Sequence, residues 1–116
     1  MKRDRAWKLR EQHMLERIEV RRSRIHGRGI FAVKRLREGQ RIGCFEGDST
    51  TTDGMYVLWL IDENGSESGI RGRNALRFLN HGEPPNAEFQ GEELFTLRNV
   101  QPGAEVLIDY GEAWKS

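Results

Sequence analysis

Cysteine is nearly absent from this 116-residue sequence, because Cys44 is the only one. A single cysteine excludes an intramolecular disulfide and any zinc site built on several cysteines. We therefore expect no metal centre, and a reducing compartment suits the chain best.

Long apolar runs are also missing. None approaches the roughly 20 residues that a membrane span needs. The charged residues 1–5 lead into no apolar stretch of the kind that marks a secretory signal. We expect no membrane association and a cytoplasmic location, or a nucleoid or nuclear one if the substrate is bound to chromatin. With 116 residues, the chain has room for one core and no second catalytic domain.

Charge of both signs is abundant but unevenly placed. The formal net charge is only +1, yet residues 1–24 carry nine Lys or Arg against four acids. Residues 83–112 carry seven acids and a single base, Arg98. An acidic rim beside a binding site would attract basic peptides, although a solvated surface is the simpler interpretation.

The first residues have a helical pattern. Trp7, Met14, Leu15 and Ile18 fall at i, i+7, i+8 and i+11, which predicts an amphipathic helix over residues 6–18. Packing on the domain or pairing with a second copy suits this basic helix better than contact with nucleic acid or a membrane surface.

The pattern then changes to short β-type runs separated by turns rich in Gly, Asp, Asn, Ser and Pro. The predicted strands cover residues 18–22, 29–33, 41–46, 55–61, 86–90, 93–98 and 105–110. The main breaks lie at residues 37–39, 48–54, 63–65 and 101–103, and only residues 73–79 look helical in the middle of the chain. The sequence thus predicts a basic N-terminal helix or extension over residues 1–16 and a mostly β domain of several small sheets over residues 17–116.

Three short segments concentrate residues that could carry chemistry. Residues 25–32 read I-H-G-R-G-I-F-A, residues 77–86 read R-F-L-N-H-G-E-P-P-N, and residues 103–111 read G-A-E-V-L-I-D-Y-G. Glycine permits close backbone approach to a ligand, Asn80 and His81 offer polar groups, and Tyr110 ends a predicted strand. Taken singly, each has a structural interpretation: a tight turn, satisfied polar residues, and a half-buried tyrosine.

In this order, the three segments resemble the glycine turn, the R-F-x-N-H-S-x-x-P-N sequence and the G-E-E-L-T-x-D-Y-G sequence of SET-domain protein lysine methyltransferases. Residues 42–47, I-G-C-F-E-G, resemble the strand that follows the glycine turn. The resemblance covers about residues 17–114 and is closest to minimal bacterial or viral SET domains.

This resemblance implies a β-clip fold in which the segment of Asp109 and Tyr110 passes beneath a loop around Asn80, like a pseudoknot. It also implies S-adenosyl-L-methionine as cofactor and a lysine in a basic protein or peptide as substrate. The implied site has three parts. Tyr110 is catalytic, the cofactor is bound by Arg28, Gly29, Asn80, His81 and Trp114, and the lysine channel is lined by Phe45, Phe89 and Ile108.

The implied chemistry needs a neutral amine, whereas free lysine has a pKa of about 10.4. Burial in an apolar channel beside a positive sulfonium lowers the lysine pKa without a strong base. Tyr110 would then orient the amine, and backbone carbonyls would give weak C–H···O contacts to the methyl group.

The sequence departs from the family pattern at several positions. Gly82 and Glu83 stand where Ser and often Cys are usual, so the turn after His81 is expected to pack differently. Phe45 replaces a channel tyrosine, and Ile108 stands where Phe or Tyr sets the number of methyl groups, which implies addition of two or three. The short insert after Glu46 leaves the peptide groove incomplete, and a homodimer through the N-terminal helix would supply the missing wall.

Three other functions compete with methyl transfer. A SET-like module that binds peptide or cofactor without turnover is the leading alternative. A nucleic-acid-binding module would rest on the basic residues 1–24 alone, and we do not expect nucleic acid as a partner. A thiol hydrolase using Cys44 and His81 is weakest, because Cys44 lies in an apolar run without an activating group.

Overall fold

A computed structural model describes residues 5–111 of the chain. In this part, one α-helix is followed by short strands and a single turn of 3-10 helix. The elements in chain order are α1 (Arg5–Leu15), β1 (Ile18–Arg22), β2 (Arg28–Ala32), β3 (Arg41–Cys44), β4 (Gly47–Thr50), β5 (Val57–Ile61), β6 (Glu67–Gly72), the 3-10 helix (Ala75–Phe78), β7 (Asn80–His81), β8 (Ala87–Gln90), β9 (Glu93–Thr96) and β10 (Glu105–Ile108).

The strands form three small sheets, with orders β1-β2-β10-β7, β3-β9-β8 and β4-β6-β5. Neighbouring strands are antiparallel except β10 and β7, which are parallel. Each sheet buries side chains in one shared core, for example Ile30 in β2, Leu94 in β9 and Leu58 in β5, all fully buried. Burial of an aliphatic side chain of this size contributes about 1.5–3 kcal/mol, so the shared core holds the three sheets together.

Strand β10 lies between two segments that precede it by many residues. Val106 pairs with Ile30 of β2, and Leu107 pairs with Asn80 of β7. The Asn86 side chain extends this pairing, because its Nδ2 donates to Glu105 O at 2.9 Å and its Oδ1 accepts from Leu107 N at 2.8 Å. The C-terminal segment is therefore hydrogen-bonded into the loop that follows Asn80, and the predicted mostly β architecture of several small sheets is confirmed.

The helix is confirmed, but it ends at Leu15, three residues before its predicted end, and the predicted strand over residues 18–22 follows it as β1. Leu15 was also placed wrongly on the apolar face. It is 43% exposed, whereas Met14 is buried and packs against Gly43, where even a Cβ atom would come within 3.0 Å of Met14 Cγ. Met14 is thus the one fully buried side chain of the described helix, and no helix within residues 5–111 is long and apolar enough to cross a membrane.

The predicted strands agree with the structure to within two residues at each end, but three further strands, β4, β6 and the two-residue β7, were missed. Strand β4 falls in the predicted break at residues 48–54, and β6 has the sequence E-S-G-I-R-G. Because glycine is rare inside strands, the two glycines of β6 argued against a strand there. Here both glycines give space to an aromatic ring, since a Cβ at Gly69 would lie 3.0 Å from Trp59 Cζ3 and one at Gly72 would lie 2.6 Å from Phe45 Cζ.

Candidate functional site

A cavity of about 510 Å³ opens where the glycine turn, the 3-10 helix and the end of β10 meet. It is lined by His26, Gly27, Arg28, Gly54, Met55, Tyr56, Arg77, Phe78, Leu79, Asn80 and Tyr110. Three of the predicted site residues, Arg28, Asn80 and Tyr110, therefore meet at one cavity, which we call the active-site cavity.

Asn80 connects the first and third sequence segments. Its side chain is 3% exposed, and its Nδ2 donates to His26 O at 3.0 Å, Arg28 O at 3.0 Å and Glu105 Oε2 at 2.9 Å. An amide has two N–H groups, so these three acceptors share them. The other amide atom, Oδ1, makes no hydrogen bond to any residue in the range 5–111. Asn80 thus fixes the glycine turn with its nitrogen and keeps an acceptor for a ligand.

Gly29 is required at its position by the same arrangement. A Cβ there would collide with Glu105 Oε2 and lie 3.0 Å from Asn80 Nδ2. Glu105 also accepts a hydrogen bond from Ser23 Oγ at 2.9 Å, so its carboxylate joins β10 to the chain before the glycine turn. Sequence reasoning missed Glu105 as a site residue, although it lies inside the closing motif that carried the resemblance.

His81 lies at the edge of the cavity and holds the tyrosine segment. Its Nδ1 accepts a hydrogen bond from the backbone N–H of Tyr110 at 2.9 Å, and the two rings contact edge to face with centroids 5.3 Å apart. The imidazole is therefore a support for Tyr110 in this structure and does not line the cavity.

The Tyr110 hydroxyl is directed by the backbone. It donates a hydrogen bond to Leu79 O at 2.8 Å. Burial, with smaller contributions from Glu105 and Tyr56, raises the pKa of Tyr110 above its ordinary value of 10.0, although a backbone hydrogen bond at His81 opposes the shift. The phenol is consequently neutral at physiological pH, and its proton is donated to Leu79 O.

Two arginines, Arg28 and Arg77, line the cavity, and none of the described residues of its lining carries a carboxylate. The Arg77 guanidinium is fixed by donation to Asn74 O at 2.8 Å and Arg73 O at 2.9 Å. The Cζ atom of Arg28 lies 5.6 Å from the Phe78 ring centroid, and the guanidinium makes no hydrogen bond or ion pair with any residue between 5 and 111. Arg28 is thus available to an anionic group in the cavity.

Tyr56 and Phe78 form an aromatic wall that the sequence did not predict. Their rings contact edge to face with centroids 5.6 Å apart. Tyr56 has a positive φ of 69°, a backbone conformation uncommon for a bulky residue, and such strained residues cluster at functional sites. The sequence predicts only a strand over residues 55–61 here and carries no signal for Tyr56 as a cavity residue.

The predicted channel residues lie elsewhere. Phe45 and Ile108 are 1% exposed in the core, and Phe89 packs edge to face on Phe45 with ring centroids 5.8 Å apart. They come together only in part, since Ile108 pairs with His81 in β7, and none of the three lines the active-site cavity. Their role as channel walls stays a prediction, and Trp114 lies outside the described residues.

A group of potential cation ligands lies on the surface beside the cavity. His81, Glu83 and Asp109 each bring one ligand atom to within 4.8 Å of the others. All three side chains are exposed, and Nδ1 of His81 is already the acceptor for Tyr110. We assign no metal to this group.

Comparison with known sequences identifies the same region as a recognised domain. The SET domain model matches residues 27–111. Histone-lysine N-methyltransferase trithorax of Drosophila virilis is 31% identical over 115 aligned residues, which cover 80% of this chain and 3% of that protein. Histone-lysine N-methyltransferase 2B of Homo sapiens is 30% identical over 82% of this chain and 4% of its own length. The chain therefore spans only a small part of these relatives.

Two solved structures share the fold. The methyltransferase domain of human PR domain-containing protein 2 superposes with a TM-score of 0.64 at 23% identity, covering 83% of this chain and 80% of that one. The methyltransferase domain of human Histone-lysine N-methyltransferase SETMAR gives a TM-score of 0.70 at 20% identity, covering 80% of this chain and 44% of that one. Both comparisons place the described residues in the same architecture as methyltransferase domains.

Proposed function

This chain belongs to the SET-domain family, and on that basis we propose that it is a protein-lysine N-methyltransferase that uses S-adenosylmethionine and acts on a lysine of a basic protein. The observation that carries this proposal is the Tyr110 hydroxyl, held by Leu79 O at 2.8 Å in a cavity that also presents Asn80 and Arg28. We further propose that the protein works where basic proteins are made or stored, in the cytoplasm or on chromatin.

The residues of the active-site cavity fit the proposed cofactor. Its amino-acid end carries an ammonium and a carboxylate, and the cavity offers Asn80 Oδ1 as an acceptor and the Arg28 guanidinium as a donor. The rings of Tyr56 and Phe78 provide flat apolar surfaces that attract a cationic sulfur and an adenine. When bound, the cofactor supplies an electrophilic methyl group on a positively charged sulfur.

The two arginines of the cavity favour a neutral lysine. Arg28 and Arg77 line it, and no other described residue of the lining brings a carboxylate, so an ammonium entering the cavity meets like charge and loses hydration. Both effects lower the pKa of a lysine amine. The proton leaves to solvent before the methyl group is transferred, and no strong base is needed.

Tyr110 then orients the amine. Because its proton is donated to Leu79 O, the phenolic oxygen can only accept a hydrogen bond from the lysine N–H. That contact points the nitrogen lone pair away from Tyr110 and toward the methyl carbon. The bound cofactor would supply its methyl group along that direction, and the rate gain would come from the alignment that Tyr110 provides.

The direct test is transfer of labelled methyl groups from S-adenosylmethionine to a mixture of basic proteins. We expect label on lysine with the wild-type chain, and a fall of about 100-fold or more with Tyr110→Phe. Cys44→Ala is the matched control, because Cys44 does not line the cavity, and it should leave transfer unchanged.

The outcomes separate the remaining functions. Cofactor binding by calorimetry without any transfer would favour a SET-like binding module. Loss of activity in Cys44→Ala with retention in Tyr110→Phe would contradict the assigned role of the tyrosine.

A further inference from the structure

The sheet β4-β6-β5 lies in an acidic stretch of the described chain. Residues 46–72, which contain all three strands, carry six carboxylates and one arginine, whereas the whole sequence has a net charge of +1. Of these carboxylates, Glu46 and Asp48 pair with Arg10 and Arg73. An acidic surface of this kind attracts cationic segments over long range. Charge alone defines no site, but this sheet also carries a shaped groove.

The groove lies on the sheet face that carries Trp59 and is about 910 Å³ in volume. It is lined by Ser49, Thr50, Thr51, Asp53, Trp59, Glu67, Ser68 and Gly69. Trp59 and Glu67 point to this face because Trp59 pairs with Gly69 and Ile61 pairs with Glu67 in the register of β5 and β6. We call this cavity the Trp59 groove.

Trp59 is held in one orientation within the groove. Its Nε1 donates to Asp53 Oδ1 at 3.0 Å, and its Cζ3 lies over Gly69, where a Cβ would be 3.0 Å away. Gly69 therefore gives the indole room to lie against the sheet. The second oxygen of Asp53, Oδ2, makes no hydrogen bond with any residue of the range 5–111. A fixed indole face and a carboxylate oxygen thus lie side by side.

The Trp59 groove adjoins the active-site cavity. Asp53 lines the groove, and the next three residues, Gly54, Met55 and Tyr56, line the active-site cavity. Consecutive Cα atoms are only about 3.8 Å apart, so this loop forms a wall between the two cavities. A peptide with one side chain in the active-site cavity can therefore reach the groove with another.

We propose that the Trp59 groove binds a second lysine or arginine of the same substrate, located a few residues from the lysine that is methylated. The inference rests on the proposed function and adds a specificity requirement to it. The cation lies over the Trp59 indole and beside the Asp53 carboxylate, since tryptophan is the strongest partner in cation–π contacts. Substrates with an isolated lysine should then be methylated poorly, and substrates with clustered basic residues should be methylated efficiently.

Two variants of the groove separate its charge from its aromatic face. Asp53→Asn removes the charge but keeps an oxygen that accepts from Trp59 Nε1, and Trp59→Leu removes the ring but keeps an apolar side chain. Glu63→Gln is the matched control, because Glu63 is exposed in the turn between β5 and β6 and does not line the groove. Thermal unfolding of all three variants reports whether each one folds.

The substrates are synthetic peptides with a single lysine and a single arginine, made at several spacings, together with the same peptides carrying glutamine in place of arginine. At the best spacing, we expect Asp53→Asn and Trp59→Leu each to raise KM for the arginine peptide by about three- to tenfold with kcat unchanged. KM for the glutamine peptide should not change, and Glu63→Gln should behave as wild type.

Equal effects on the arginine and glutamine peptides, or variants that match Glu63→Gln, would overturn the inference. Fluorescence anisotropy measures peptide binding independently of methyl transfer, so the groove can be tested even if the chain has no activity. Groove-dependent binding without methylation would contradict the proposed function and leave the groove assignment standing. Methylation that is unaffected by the groove variants would contradict the groove assignment and leave the proposed function standing.

Discussion

Nδ1 of His81 accepts the backbone N–H of Tyr110 at 2.9 Å, so the residue that follows Asn80 fixes a tyrosine 29 positions later in the chain. The hydroxyl of the same tyrosine is held at its far end by Leu79 O. Tyr110 is therefore anchored at both ends by consecutive parts of one loop. Small displacements of this loop should change the direction of the hydroxyl.

Replacement of His81 tests this anchoring. His81→Ala removes the acceptor for Tyr110 N–H, and we expect kcat to fall by about 10- to 100-fold because a misplacement near 1 Å can cost that much. His81→Asn offers an amide oxygen in a similar place and should recover part of the loss. Steady-state kinetics with circular dichroism as a folding control would measure both, and equal losses in the two variants would contradict the anchoring role.

Asn80 should be sensitive to a change of one atom. Asn80→Asp puts a carboxylate oxygen against His26 O, Arg28 O and the Glu105 carboxylate, where the amide now donates. We expect the free energy of unfolding to fall by about 3–5 kcal/mol near neutral pH, the cost of an uncompensated buried charge.

Urea unfolding would measure this loss. Asn99→Asp is the control, since Asn99 is exposed and uses its oxygen to accept from Glu38 N, an interaction that aspartate keeps. A similar loss in both variants would show that the Asn80 contacts do not matter.

Glycine stands at position 82, where the family sequence has serine, and the neighbouring side chain of Leu107 in β10 explains the difference. A Cβ at Gly82 would lie 3.0 Å from both Cβ and Cγ of Leu107, and Leu107 stands where the family sequence has threonine. Gly82→Ser alone should destabilise the fold by about 1–3 kcal/mol through overpacking. The double variant with Leu107→Thr should recover part of this, with a coupling energy of about 0.5–3 kcal/mol in thermal or urea unfolding. Additive effects would show that the two positions are independent.

On alkaline titration, Tyr110 should ionise at a higher pH than an ordinary tyrosine. Burial raises its pKa above 10.0, so the folded state favours the neutral phenol. The resulting stabilisation is present in full below pH 10 and is lost as the pH rises through the higher folded-state pKa. The chain has two tyrosines, so the difference in tyrosinate absorbance between wild type and Tyr110→Phe isolates this group. A difference spectrum with its midpoint at or below pH 10 would contradict the assignment.

The sequence predicted those parts of the fold that have a local signal. The runs that became β1, β2, β5 and β10 are rich in β-branched and aliphatic residues bounded by turn residues, and the order of three motifs pointed to the meeting of Asn80 with Tyr110. Strand β6 was missed because its glycines are explained only by Phe45 and Trp59, which lie close to them from other parts of the chain.

The missed site residues have the same physical explanation. Glu105 matters because its carboxylate accepts hydrogen bonds from Asn80 and Ser23. Tyr56 lines the cavity with a positive φ, and no neighbouring residue in the sequence indicates that conformation. The role of each residue depends on a partner that is distant in the sequence, so a local sequence pattern does not indicate it.

The position of β10 between β2 and β7 also has a consequence for how the molecule is made. A ribosome synthesises the chain from its N-terminus, so β2 and β7 emerge while the strand that joins them is still missing. Residues 105–110 must then enter a gap between segments that are already in place, and contacts over such long sequence separations form slowly. Tyr110 arrives with that strand, so a nascent chain has no complete site until the last strand of its sheet is inserted.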